Sequence, residues 1–270
     1  MTCSLAFRMD ALDAADIALV RADNPGPFTL EGTNTWLVGR DPCWVVDPGP
    51  PALAGHVARV AAQAASRGGL GGIALTHGHA DHSGAVAGLL AACGEVPVAA
   101  ASWDGATVRL ASGDACGPLT ALATPGHSPD HLAFLVRGAL LSGDAVLGRG
   151  SVFVFPDPGA LRGYLAALDR LLELEIDVIC PGHGPLVVDP RAKLQQYREH
   201  RLQREALLVE ALGAGLRSTD ELLDRVWSDA PAALRGAALV TLAAHLDKLD
   251  EEDALPPGVE RPQLDQYLAR

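Results

Sequence analysis

The sequence predicts an α/β fold followed by a helical region toward the C-terminal end. Between residues 17 and 188, short apolar runs bounded by glycine and proline alternate with alanine-rich segments of helical spacing, a pattern typical of strands and covering helices. After residue 190 the short runs stop, and long stretches with interleaved charges follow. We therefore expect one domain over residues 1–189 and a small helical, winged-helix-like region over residues 190–270.

The predicted strands are short apolar runs that end at turn-forming residues. Glycine-containing turns at 39–42 and 137–138 are short enough to join neighbouring runs as hairpins. A run at 106–110 is a further candidate strand. The remaining strands are expected at residues 17–21, 34–38, 44–46, 73–75, 96–100, 119–123, 132–136, 139–141 and 177–180.

The predicted helices have apolar residues at helical spacing and end at glycines. Gly68 and Gly69 follow the first helix, and Gly94 follows the second. Ser218 or Thr219 begins a later helix as its N-cap. The helices are expected at residues 52–65, 81–93, 161–172, 193–212, from 219 onward, and 231–249.

Composition limits the classes of partner. Of the 270 residues 49% are hydrophobic and 20% are charged, which favours a large folded core over disorder. The net charge of −12 disfavours binding of nucleic acid or anionic membrane over the whole surface. The five cysteines are scattered, and no leader or membrane-spanning run is evident. We therefore expect a cytoplasmic protein without disulfides.

One turn concentrates residues that bind metal ions. His77, His79, Asp81 and His82 lie within six positions, between a predicted strand and a predicted helix. His77 and His79 are two apart in an extended segment, so both side chains point the same way. Asp81 and His82 fall where the helix begins and can reach a second point. The turn can therefore supply two metal ions, unless its histidines are only a chance cluster on the surface.

Three further residues of the same kind follow later strands. His127, Asp144 and His183 each come at the C-terminal end of a predicted strand and beside a glycine. Open sheets place their sites at such strand ends, where backbone and ligand can approach closely. With the first turn they make five histidines and two aspartates. Such a set is sufficient for two metal ions.

The order of these residues resembles that of the metallo-β-lactamase superfamily of hydrolases. The resemblance covers about residues 17–188 and implies a four-layer αβ/βα sandwich. It implies that one ion is bound by His77, His79 and His127. It implies that the other is bound by Asp81, His82 and His183, and that Asp144 bridges the two.

A narrower resemblance points to the lactamase-β-like protein 2 branch. It rests on the segments 24–35, 124–131, 181–185 and 197–205. That branch includes an endoribonuclease that acts on single-stranded RNA, and its relatives include thioesterases of polyketide pathways. The resemblance therefore identifies the catalytic machinery better than the substrate.

These residues lead us to expect a hydrolase with two zinc ions, or iron or manganese, and a hydroxide that bridges them. Asp81 is expected to orient the hydroxide. The bridging role that the resemblance implies for Asp144 disfavours a true β-lactamase, which stays a less favoured alternative. A small ester or thioester is the favoured substrate, because aromatic residues are only 4% of the chain. A non-enzymatic metal-binding module is a weaker alternative, and relatives suggest a homodimer by analogy.

The second candidate function is cleavage of single-stranded RNA. A basic run on a predicted helix favours it, although glutamates dilute the run and an ordinary solvated helix face would look the same. The run comprises Arg191, Lys193, Arg198, His200, Arg201 and Arg204.

Several other polar residues have two interpretations. Asp47, at the end of its strand, resembles the buried aspartate that supports the ligands in the metallo-β-lactamase superfamily, or it only forms a turn. Asp130 is a further candidate to support the ligand histidines, or it only forms a cap. His131 supports His127 or packs in a strand. His56 and His245 are expected at the surface or at the edge of the core.

Overall fold

A computed structural model describes residues 12–264, which form two compact units. Within that range the first unit comprises residues up to 124, residues 130–151 and residues 174–193. The second unit comprises residues 125–129, 152–173 and those from 194 onward. The predicted division at residues 189 and 190 stays a prediction.

The bounds of the elements follow. The strands are β1 Ile17–Arg21, β2 Asn34–Val38, β3 Cys43–Val46, β4 Leu70–Ala74, β5 Val98–Ala100, β6 Val108–Arg109, β7 Ala115–Cys116, β8 Leu119–Ala123, β9 Leu132–Val136, β10 Ala139–Gly143 and β11 Val178–Pro181. The α-helices are α1 Ala54–Ala65, α2 Ala80–Ser83, α3 Val86–Cys93, α4 Ala160–Leu172, α5 Pro190–Gly213, α6 Thr219–Val226 and α7 Arg235–Glu251. None of the helices in the described range is long and apolar enough to cross a membrane.

Two mixed sheets form the first unit. One has six strands in the order β1-β2-β3-β4-β5-β6, antiparallel over β1–β3 and parallel from β3 onward. The other has the order β11-β10-β9-β8-β7, in which only β10 and β11 are parallel. The hairpin predicted at Arg137 and Gly138 is confirmed. Both residues have positive φ, as a two-residue turn between strands requires.

Alternate residues of the six-stranded sheet enter different hydrophobic clusters. Trp36 and Val38 pack in a cluster with Phe134 of the other sheet. Leu37 packs in a second cluster with Val60 of α1 and with α3. The sheet is therefore buried on both faces, and its strands appear in the sequence as continuous apolar runs. These helix and sheet layers confirm the predicted α/β class.

The second unit contains α4, α6, α7 and most of α5. Leu208, Leu222 and Leu242 come from α5, α6 and α7 and share one apolar cluster. The side chain of Ser218 accepts a hydrogen bond from the backbone N–H of Glu221, within a complete capping box. The predicted start of that helix is therefore confirmed, as is the helical character of the C-terminal region.

The helix predicted after the histidine turn differs from the structure. It is divided into α2 and α3 because the N–H of Ala85 donates to the carbonyl of Gly49, 2.9 Å away, and not to a carbonyl of α2. The N–H of Gly49 in turn donates to the carbonyl of His82 at 3.0 Å. The loop after β3 therefore fixes the end of the histidine turn.

Candidate metal centre

The structure brings six of the seven predicted ligands into the first unit. Their ligand atoms form two groups, within each of which all atoms lie within 4.8 Å of one another. One group comprises His77, His82 and Asp144, and the other comprises Asp81, His82 and His183. His79 adjoins the first group, since its Nδ1 lies 2.9 Å from Nε2 of His77.

Nitrogen and carboxylate oxygen atoms converge closely at the centre of these groups. Nε2 of His82 lies 3.3 Å from Nε2 of His183. Both nitrogens lie 3.5 Å from Oδ1 of Asp144. Oδ2 of Asp81 lies 3.2 Å from Nε2 of His183. Imidazole nitrogen and carboxylate oxygen are the atoms that bind zinc and related divalent ions.

Asp47 is a buried residue that forms hydrogen bonds to the histidine turn. It is 1% exposed and directly follows β3. Its Oδ1 accepts a hydrogen bond from the backbone N–H of Thr76 at 2.8 Å. Its Oδ2 accepts from the Thr76 hydroxyl at 2.7 Å and from Nδ1 of His82 at 2.9 Å. The predicted contact of Asp47 with the histidine turn is confirmed.

These contacts determine which imidazole nitrogen carries the proton. Nδ1 of His82 donates to Asp47, so its Nε2 keeps a lone pair. The Thr76 hydroxyl is used as a donor to Asp47, so it accepts from Nδ1 of His77 at 3.0 Å. Nδ1 of His183 donates to the carbonyl of Gly32 at 3.4 Å.

In their neutral forms, His77, His82 and His183 therefore carry their imidazole lone pairs on Nε2. Those of His82 and His183 meet each other and the carboxylates of Asp81 and Asp144. Acceptors so close to one another repel unless a cation or protons lie between them. The donor set thus fits divalent metal ions.

The short distances between these histidines and aspartates also shift their pKa values. Burial disfavours charge on His183, but attraction to Asp144 outweighs it and raises the pKa of His183 to about 9. Burial also opposes ionisation of Asp144, yet His183 and His82 hold the pKa of that carboxyl well below its usual value. The pKa of Asp81 is lowered to about 2, against the effect of burial, chiefly by His82. The centre therefore attracts positive charge strongly, whether as protons or as metal ions.

His127, the seventh predicted ligand, belongs to the second unit. It is 2% exposed, and its Nδ1 donates to the carbonyl of Phe153 at 3.4 Å. Its ring lies against Phe153 and Phe155, with centroid distances of 5.2 and 6.1 Å. Its role as a metal ligand stays a prediction.

Two other histidines differ from expectation. His56 is 2% exposed, and its Nε2 lies 3.0 Å from both the carbonyl of Pro48 and the hydroxyl of Thr35. It is buried on one face of α1 together with Val60 and Ala64, so helical spacing could have revealed it. His245 is also fully buried, so for both residues the expected place at the surface or core edge was wrong.

His131 contacts a residue that the sequence did not indicate. Its Nε2 accepts a hydrogen bond from the backbone N–H of Asp144 at 3.1 Å. Its ring also stacks on that of His77, with centroids 5.0 Å apart. The sequence placed His131 near the site, but it could not show that Asp144 is the partner.

The basic run on α5 makes contacts within the second unit. Arg201 is 2% exposed and donates to the carbonyl of Val152. Arg204 donates to Asp229 at 2.7 Å, and Arg198 pairs with Asp169 at 2.6 Å. Because these guanidinium groups are buried or paired, they do not form a free row of positive charges.

Comparison with known proteins identifies the family of this chain. The model of the metallo-beta-lactamase superfamily matches residues 28–115 and 108–183. The beta-lactamase-like protein 2 homolog of Caenorhabditis elegans is 30% identical over 93% of this chain and 88% of its own length. The homolog of Drosophila melanogaster is 29% identical over 86% and 87%. The atrochrysone carboxyl ACP thioesterase of Aspergillus chevalieri is 31% identical over 83% and 77%.

Solved structures show the same fold. A metallo-beta-lactamase family protein of Thermus thermophilus covers 91% of this chain and 96% of its own, with a TM-score of 0.74 and 24% identity. A beta-lactamase domain protein of Burkholderia ambifaria covers 90% and 89%, with a TM-score of 0.76 and 23% identity. TTHA1623 in a di-iron-bound form is 30% identical, covers 63% and 94%, and has a TM-score of 0.51. The predicted four-layer sandwich is thereby confirmed.

The matches extend from the strands to the turn that holds the histidines. The ranges that the family model matches include all seven ligand-type residues, and the solved structures share the fold. The chain belongs to the metallo-β-lactamase superfamily of hydrolases, in its lactamase-β-like protein 2 branch.

Proposed function

We propose that this hydrolase uses two zinc ions to cleave a small thioester or ester. The observation that carries the proposal is the convergence of Asp81 and Asp144 on the Nε2 atoms of His82 and His183. Such a set of two carboxylates and inward-facing imidazoles suits paired divalent ions. When bound, the ions would supply an acidic water and polarise the acyl oxygen of the substrate.

We assign the seven residues predicted from the sequence as ligands. His77, His79 and His127 are proposed for one ion, Asp81, His82 and His183 for the other, and Asp144 for both. The assignment of His127 rests on its place in the sequence motif. The inward direction of the Nε2 lone pairs supports the assignment of His77, His82 and His183.

The side chains of the first unit have separate tasks in this proposal. Asp47 and Thr76 keep protons on Nδ1 of His82 and His77, so both Nε2 atoms stay available. Oδ2 of Asp81 accepts a hydrogen bond from the attacking water and orients it. Asp81 suits this task because its side chain is 31% exposed, whereas that of Asp144 is only 11% exposed.

Two observations favour a thioester or ester over RNA. The relative from Aspergillus chevalieri, which aligns over most of this chain, is named a thioesterase. In addition, Arg201 and Arg204 of the basic run hold backbone carbonyls within the second unit. A phosphate backbone requires accessible cations, and these two are already engaged.

A substrate screen tests the proposal. Purified protein is offered acyl thioesters, esters, lactones, a cephalosporin and single-stranded RNA, with metal content measured by mass spectrometry. We expect about two zinc ions per chain and thioester or ester turnover, which Asp144→Asn lowers by about a hundredfold or more. Asp104→Asn, a change at an exposed loop residue, is the matched control and should leave turnover unchanged.

Other outcomes would reject parts of the proposal. RNA cleavage that is lost in Asp144→Asn would replace the proposed substrate with RNA. Iron in place of zinc would overturn the metal assignment. Fewer than one metal ion per chain, with no turnover sensitive to Asp144→Asn, would overturn the proposed metal centre.

A further inference from the structure

We propose that His131 is a positioning residue that fixes the backbone of Asp144 through a neutral imidazole protonated on Nδ1. Its Nε2 accepts a hydrogen bond from the backbone N–H of Asp144 at 3.1 Å. Its Nδ1 lies 2.8 Å from the hydroxyl of Thr124. This inference rests on the proposed role of Asp144 as a ligand of both ions.

The contacts determine the tautomer of His131. The backbone N–H of Asp144 can only donate, so Nε2 must offer a lone pair. The proton of the neutral ring is then on Nδ1, which donates to Oγ1 of Thr124. The backbone N–H of Thr124 also donates to the carbonyl of His131 at 2.9 Å. Two hydrogen bonds thus hold Thr124 and His131 together and prevent the ring from turning over.

His131 also connects Asp144 with the histidine turn. Its ring stacks on that of His77 with centroids 5.0 Å apart and an interplanar angle of 29°. The adjacent N–H of Leu132 donates to the carbonyl of Thr76 at 2.7 Å. The imidazole is 1% exposed, so neighbouring side chains leave it little freedom to move. The His131 ring therefore contacts both Asp144 and His77 and holds them at a fixed separation.

The placement of Asp144 explains why such support matters. Asp144 directly follows β10, and its carboxylate lies among the Nε2 atoms of His82 and His183. A bridging carboxylate must reach two ions at once, so a small backbone displacement changes both distances. Without His131, the N–H of Asp144 would lose a buried acceptor and the backbone would shift to find another.

Three variants separate the positioning role from a packing role. His131→Leu removes both hydrogen bonds, and we expect kcat to fall about 10- to 100-fold with little change in KM, as for other residues that support metal ligands. His131→Gln offers a carbonyl acceptor to the N–H of Asp144 and should recover most of that loss. Thr124→Val leaves the ring in place without the Nδ1 acceptor, and kcat should fall roughly three- to tenfold.

Thr241→Val is the matched control for Thr124→Val. Thr241 is a buried threonine of α7, and its hydroxyl donates to the carbonyl of Ala237. We expect its kcat and KM to equal those of the wild type. Wild-type kcat in both His131→Leu and Thr124→Val would overturn the proposal. A rise in KM with unchanged kcat would overturn it as well.

A measurement without metal distinguishes this inference from the proposed function. In metal-free protein with ¹⁵N-labelled histidine, long-range proton–nitrogen correlations should show His131 protonated on Nδ1 alone, and Thr124→Val should reduce that form. A dominant Nε2–H form in the wild type would overturn the proposal, whatever the activity. A protein without zinc or turnover would reject the proposed function, while the Nδ1–H form would still support the positioning of Asp144 by His131.

Discussion

The two units of this protein use their buried polar side chains in different ways. In the first unit, Asp47 receives three hydrogen bonds and directs the lone pairs of two imidazoles away from itself. In the second unit, the buried Arg201 donates to the carbonyl of Val152 and lies over the ring of Tyr164, 5.5 Å from its centroid. The network of the first unit leaves nitrogen and oxygen acceptors facing one another. The network of the second unit supplies a hydrogen-bond donor to a backbone carbonyl.

The difference shows how a binding network can be told from a structural one. A buried donor that meets an acceptor, or an acceptor that meets a donor, forms a hydrogen bond that stabilises the fold. The burial of such a residue requires no ligand. Acceptors that converge on other acceptors are unfavourable by themselves and require protons or a cation between them. His82 and His183 have the second arrangement, whereas Arg201 has the first.

The largest expected effect concerns the network around Asp47. Asp47→Ala leaves the Thr76 N–H, the Thr76 hydroxyl and Nδ1 of His82 without their buried acceptor. We expect the free energy of unfolding of the metal-free protein to fall by about 3–5 kcal/mol, since each unsatisfied buried group costs about 1–3 kcal/mol. Urea denaturation measures this change.

Asp104→Ala, at an exposed loop residue, is the control for Asp47→Ala and should change stability by no more than about 0.5 kcal/mol. Equal stability of the two variants would show that Asp47 does not organise the first unit. Such a result would remove the distinction between the two networks.

The next effect is the pH dependence of the metal-free protein. The pKa of His183 is raised to about 9 from a reference value of 6.5. A raised pKa stabilises the folded state fully below pH 6.5, and this stabilisation disappears as the pH rises through 9. We therefore expect metal-free protein to lose about 2–3 kcal/mol of unfolding free energy between pH 6 and pH 9.5.

Metal binding should remove this pH dependence. Divalent ions displace the protons from the imidazoles, so the loaded protein has no His183 proton to release as the pH rises. Urea denaturation at pH 6, 7.5 and 9.5, with and without zinc, makes the comparison. Metal-free stability that stays constant or rises over this range would contradict the proposed convergence of charge at His183.

The sequence predicted the histidine turn because its ligand-type residues are neighbours in the chain. His77, His79, Asp81 and His82 are recognisable from spacing alone. The later ligand-type residues were recognisable because each follows a predicted strand. The role of Asp47 required the family resemblance, since its bond to His82 spans 35 positions.

Other contacts depend on tertiary structure that local patterns do not encode. The bond between His131 and Asp144 forms because the β9–β10 hairpin returns the chain to the same edge of the sheet. The burial of Arg201 was equally hidden, because a mixed-charge helix looks the same in sequence whether an arginine faces water or the interior. The sequence of the basic run therefore could not show that Arg201 and Arg204 hold backbone carbonyls within the second unit.

The smallest expected effect tests the structural network of the second unit. Arg201→Met removes the donor to Val152 and should lower the free energy of unfolding by about 1.5–3 kcal/mol, the usual contribution of a hydrogen bond from a charged group. Arg198→Met, on the same helix, removes a half-exposed pair with Asp169 and should cost about 0–1 kcal/mol. Urea denaturation of both variants gives the difference.

The position of Tyr164 adds a second readout to the Arg201→Met experiment. Tyr164 lies so close to Gly126 that a Cβ on the glycine would be 2.6 Å from that of the tyrosine, and His127 follows directly. If Arg201 holds Tyr164 and Val152 in place, and if His127 is the ligand proposed above, Arg201→Met should also weaken zinc binding, while Arg198→Met should not. Unchanged stability in Arg201→Met would show that the buried guanidinium is not structural. Lower stability with unchanged zinc affinity would confine its role to the fold and separate the second unit's network from the metal centre.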